Sequence, residues 1–77
     1  MKKGDYYLTK SNNVIKLFKV TSCNNKNVYF IVLDSTLKNN EAYDYGYKKG
    51  ERGCLPKWHI YNDYVRISED VVMALSV

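Results

Sequence analysis

Six consecutive apolar residues, Val28-Tyr29-Phe30-Ile31-Val32-Leu33, constrain the fold of this chain more than any other segment. β-Branched and aromatic side chains favour an extended strand, and successive side chains of a strand point to opposite faces. One face therefore holds Val28, Phe30 and Val32, and the other holds Tyr29, Ile31 and Leu33. A single-layer sheet buries only one of them, so the second needs a cover: the C-terminal segment or another copy of the chain. Uncovered, such a strand invites association, and the run predicts a homodimer.

The flanking sequence predicts partners for this strand. Tyr6 to Lys10 reads as a first strand, ended by Ser11, Asn12 and Asn13, whose side chains suit turn geometry. Val14 to Ser22 is a second, with Val14 and Phe18 set against Ile15 and Leu17. Asn24, Asn25, Lys26 and Asn27 then separate it from the apolar run. Three antiparallel strands over residues 5 to 34 make a meander. Asp34 to Ala42 reads as a loop. Tyr43 to Tyr47, where Tyr alternates with small or polar residues, is strand-like or an ordered loop within a further β segment near 43 to 67. Lys48 to Gly53 reads as a turn, since two Gly and four charges resist regular structure. Lys48-Lys49-Gly50-Glu51 echoes Lys2-Lys3-Gly4-Asp5, although four residues do not establish a repeat. Between Lys57 and Ile67 the signals divide: Tyr64 to Ile67 looks extended, whereas Trp58, Tyr61 and Val65 share one helical face. Ser68 followed by Glu69 and Asp70 is a helix start, with Val71, Val72 and Leu75 on one side. A last strand over Val71 to Val77 is the rival reading.

Length bounds the rest. With 77 residues the chain holds a single domain, residues 1–77, with one modest core. The expected class is mainly β: a small antiparallel meander or barrel with at most one or two short helices. The longest apolar run is far short of the ~20 residues that span a bilayer, so no membrane partner is expected. Cys23 and Cys54 lack the paired spacing of a zinc or thiol redox motif. A chain opening on a polar stretch is expected in the reducing cytoplasm, with both thiols packed as small apolar groups.

Catalysis finds little support. His59 follows Cys54 by five residues, but a nucleophile pair also requires an orienting group and an oxyanion site in a pocket that so short a chain rarely builds. Gly46, Gly50 and Gly53 match no phosphate-loop spacing. Cap and turn roles explain Asp63, Glu69 and Asp70. No enzyme activity, cofactor or metal is expected.

The formal net charge is +4, which excludes an acidic DNA mimic and admits an anionic partner. Residues 1 to 38 hold seven Lys and two Asp, +5, whereas residues 39 to 77 hold five basic and six acidic residues, −1. The most informative stretch is Tyr43, Tyr45 and Tyr47, followed by Lys48, Lys49 and Arg52, then Lys57 and Trp58. In extended backbone the three rings share one face beside positive charge, an arrangement that suits a protein interface or the stacking of bases. The plainer reading makes the same rings part of the core. The nearby acids Glu41 and Asp44 favour a protein partner. The alternative is a basic nucleic-acid or nucleotide binder, with phosphate contacts from Lys10, Lys16, Lys19 and Lys26.

Lys3-Gly4-Asp5-Tyr6-Tyr7-Leu8, followed by a turn and two strands, resembles the start of Src-homology-type small barrels over about the first 35 residues. That resemblance implies binding rather than catalysis. The small size, the usage rich in Asn, Lys, Tyr and Ile, and the lack of catalytic motifs are also similar to accessory proteins of bacterial phages, some of which inhibit host defence systems.

Overall fold

The computed structural model describes residues 1–9, 15–36 and 48–75. Its strands are β1 (Tyr6–Thr9), β2 (Lys16–Cys23), β3 (Asn27–Ser35), β4 (Arg52–Pro56) and β5 (Tyr64–Ile67). Helix α1 (Lys57–Asp63) joins β4 to β5, and α2 (Glu69–Leu75) follows β5. All five strands are antiparallel to their neighbours in one sheet of order β4-β3-β2-β1-β5. The meander expected from sequence is present. The sheet is open, not a barrel, with β4 and β5 at its edges.

The two-sided run lies in β3, and its faces have different fates. Val28, Phe30 and Val32 are fully buried together with Tyr7, Phe18, Val20, Ile60 and Tyr64. Phe18 and Phe30 stack at its centre, 4.3 Å between centroids, and Tyr7 stacks on Phe18 at 5.6 Å. Such ring pairs contribute about 0.5–1.5 kcal/mol each beyond the area they bury. Helix α1 covers this face by inserting Ile60. On the opposite face Ile31 and Leu33 are half-buried and Tyr29 is exposed. Leu17 and Val72 are buried outside the main cluster.

Two turns of matching sequence frame the sheet in the same way. In Lys2-Lys3-Gly4-Asp5, the Asp5 amide donates to the Lys2 carbonyl at 3.2 Å, and the Lys2 amide donates to the Asp5 carboxylate at 3.0 Å. In Lys48-Lys49-Gly50-Glu51, the equivalent bonds are 3.0 Å and 2.8 Å. Gly4 and Gly50 have φ of 94° and 86°, the positive value a type II turn demands at its third residue. Each glycine amide then donates to a valine carbonyl, Gly4 to Val20 and Gly50 to Val32, both at 2.9 Å. Each valine amide donates back to the acid's carbonyl, Asp5 or Glu51, at 2.8 Å. The β1–β2 and β4–β3 pairs are thus related by an approximate two-fold axis through the stacked Phe18 and Phe30. The four-residue echo is a structural repeat, although chain order (turn, β1, β2 against β3, turn, β4) hides it.

Other local expectations divide. Asn24 Oδ1 accepts the amides of Lys26 and Asn27 at 2.9 and 2.8 Å, closing the β2–β3 turn. The ambiguous stretch after Pro56 is helix and then strand, so both signals hold in succession. Because the helix ends at Asp63, Val65 does not continue the Trp58–Tyr61 ridge; it pairs with Leu8 in the sheet. The Lys48–Gly53 turn is shorter than expected, since Arg52 and Gly53 pair with Ile31 and Phe30 in β4. Pro56, which has no amide proton, is accommodated because β4 is an edge. At α2 the helix prevails over a last strand: Ser68 Oγ accepts the Val71 amide at 3.3 Å. Among its described side chains Val72 is buried whereas Val71 is exposed, contrary to the expected shared face.

Candidate interaction surface

Helix α1 is short but firmly held. The Lys57 amide donates to the Lys26 carbonyl at 2.9 Å, tying the helix start to the β2–β3 turn. Ile60 is fully buried, and the Tyr64 amide closes the helix on the Ile60 carbonyl. With Ile60 directed inward, Trp58 and Tyr61, three residues apart and hence neighbours on the helix surface, are directed outward. They are 65% and 60% exposed. His59 stands beside Trp58, edge to face at 5.5 Å, and its Nδ1 lies 3.3 Å from the Asp63 carboxylate. Lys57 is half-buried, and Lys26 is exposed at the same end. The result is a rigid aromatic ridge with positive charge at one end and Asp63 at the other.

The residues expected to form one site are not all together. Lys57 and Trp58 adjoin at the end of β4, whereas Lys48, Lys49 and Arg52 cluster at its start. At about 3.4 Å per residue, some 17 Å of strand separates Arg52 from Lys57. They also differ in face: Arg52 pairs with Ile31 on the side of the sheet away from the core, whereas α1 packs over the core side. Tyr43, Tyr45 and Tyr47 lie outside the described residues. Tyr61 was missed as a site residue, although its spacing from Trp58 signalled the ridge.

The lysines proposed for phosphate contacts separate similarly. Lys10 lies outside the described residues. Lys16 requires a correction: it is 0% exposed, and its Nζ lies 4.6, 5.2 and 5.6 Å from the ring centroids of Phe30, Tyr64 and Phe18. It shares the core parity of Phe18 and Val20 on β2, so no phosphate reaches it. Burial lowers its pKa from 10.5 to about 8, because a low-dielectric site disfavours the ammonium. The aromatic faces partly compensate that cost. Lys19 is half-buried on the other side of β2, with Nζ 5.6 Å from the Tyr6 ring, and Lys26 is exposed in a turn.

The side of the sheet away from the core has its own pattern. Cross-strand pairing aligns Arg52, Ile31, Lys19, Tyr6 and Ile67 in one row across all five strands. Tyr29, two residues from Ile31, adjoins Cys54 on the same side. At the other end, Leu8, Ile15 and Leu17 line a recess of about 250 Å³ rimmed by Asp34, Ser35 and Thr36. Cys23 and Cys54 are unpaired. Among the described residues, no group of three or more His, Cys, Asp and Glu side chains could hold a metal ion, and no helix is long and apolar enough to cross a membrane. No protein-family model, curated protein or solved structure matches the chain.

Proposed function

We propose that this chain is a non-catalytic, cytoplasmic binding module that docks a protein partner through α1. The observation that carries the reading is the adjacent pair Trp58 and Tyr61, both more than half exposed on a helix anchored by buried Ile60. Trp and Tyr bring large contact areas at low entropic cost and are enriched among residues that dominate interface energetics. The anchored helix presents them without a folding step, so little ordering cost is incurred on binding. Lys57 and Lys26 at one end favour a partner whose apolar pocket has an acidic rim. Such a module suits an accessory or inhibitor protein that blocks a surface instead of transforming a substrate.

Trp58 is the sole tryptophan, so its emission reports on this surface alone. Titration of a partner recovered from the native host should shift that emission to shorter wavelength. Trp58→Ala together with Tyr61→Ala should abolish capture of the partner while leaving the fold intact. Capture that survives both substitutions refutes the reading.

A further inference from the structure

The sheet face opposite α1 carries a second kind of chemistry. Its central row, Arg52-Ile31-Lys19-Tyr6-Ile67, combines two cations with a tyrosine, and Tyr29 stands one side-chain step along β3 on the same face. Tyr29 is 41% exposed, Arg52 is exposed, and Tyr6 and Lys19 are half-buried. Strand spacing of about 4.8 Å and a two-residue step of about 7 Å set Tyr6 and Tyr29 about 12 Å apart, with Lys19 between them. Among the described strand residues on this face the one acid is Asp34, beside the apolar recess and accepting the Ser35 amide at 2.9 Å. Asp5 is buried on the core side with its carboxylate 3.7 Å from Arg66, and Glu51 is turned back to the Lys48 amide. Among the described strand residues the row is therefore cationic, and the acids Glu69 and Asp70 of α2 follow in the chain beyond its Ile67 end.

The geometry points to this face as a platform for single-stranded polynucleotide, with a base stacked on exposed Tyr29, phosphates at Arg52 and Lys19, and the Tyr6 ring beneath the Lys19 ammonium holding that lysine in place. An exposed sheet surface bearing aromatic rings is a general solution for unpaired bases, because every base offers a π-face and the strand backbone passes between the cations. A second copy of the chain fits the row less well, since face-to-face pairing would bring two cationic rows together. The platform and the α1 ridge lie on opposite sides of the sheet, so both can be occupied at once.

The test is fluorescence anisotropy with labelled oligo(dT) and oligo(U) of about 12 nucleotides, which separates DNA from RNA as the source of the shared chemistry. The wild-type chain should bind at least one of them, losing about sevenfold in affinity between about 50 and 200 mM salt if two phosphates are engaged. Tyr29→Ala should weaken binding by about 5- to 150-fold, the range of one lost base stack. Lys19→Gln and Arg52→Gln should each reduce the slope of log affinity against log salt by about 0.7. Trp58→Ala should leave oligonucleotide binding unchanged, which keeps this result independent of the protein-docking surface. Circular dichroism of each variant checks its fold. Absence of binding at low salt overturns the inference, as does affinity unaffected by all three sheet-face substitutions. Sedimentation as a dimer that binds no oligonucleotide overturns it too and assigns the face to a second copy.

Discussion

Replacing Lys16 by Met should remove a rise of stability with pH that burial of this lysine gives the native chain. In the folded protein burial lowers the Lys16 pKa from 10.5 to about 8. Below about pH 8 both folded and unfolded chains hold the proton, so the folded state bears the full cost of an enclosed ammonium. As pH rises through the folded value, the folded state releases a proton that the unfolded chain retains, and linkage makes stability increase until the unfolded lysine also titrates near 10.5. Between about pH 7 and pH 9.5 those two values give a gain of about 2 kcal/mol, or about 8–16 °C in Tm for a domain of this size. Met conserves the unbranched shape and has no proton to exchange. Urea unfolding followed by circular dichroism at the two pH values, on native protein and Lys16→Met, measures the difference of slopes. Other groups, including Tyr7, whose pKa burial raises, are common to both proteins and cancel. Equal pH dependence in the two would refute the placement of Lys16 in the core.

Further expectations concern the frame and the two surfaces. Gly4→Ala and Gly50→Ala should each cost about 1–2 kcal/mol in urea unfolding, and by similar amounts, because both occupy the same turn position with no atom of the described residues near enough to obstruct the added methyl group. Phe30→Ala should cost about 3–5 kcal/mol in the same measurement, as it removes the ring against which Phe18 and Lys16 pack. Trp58→Ala should change stability by no more than about 0.5–1 kcal/mol by thermal denaturation, since most of the indole is in solvent.

The strands were legible because their signals are local. Tyr6, Phe18 and the run from Val28 lie in segments whose β-branched and aromatic content leaves one regular option, and the polar Asn cluster before Asn27 could only be a turn. Lys16 was misread for the opposite reason. Lysine normally marks the solvent side, and only parity with Phe18, combined with knowledge of which β2 face is the core, reveals that it points inward. The Lys-Lys-Gly-acid turns were visible as letters, but their equivalence depends on hydrogen bonds to Val20 and Val32, which sequence order does not pair. The expected site suffered likewise: Arg52 and Trp58 are close in the chain, yet β4 carries them to opposite ends and α1 to the opposite face. Trp58 and Tyr61 were recognisable as a helical pair, but whether that face was core or surface depended on Ile60 taking the inward position.

The claim that α1 is a docking surface is tested most directly by quantitative co-purification from the native host, comparing the wild-type chain, Trp58→Ala/Tyr61→Ala and Lys19→Gln/Arg52→Gln. One protein should be retained in near-stoichiometric amount by the wild type and by the sheet-face variant, and reduced at least about tenfold by the helix variant, the effect of losing a single interface anchor worth about 1.4 kcal/mol or more. Retention of the same protein by Trp58→Ala/Tyr61→Ala at the wild-type level, with the variant folded, would contradict the claim.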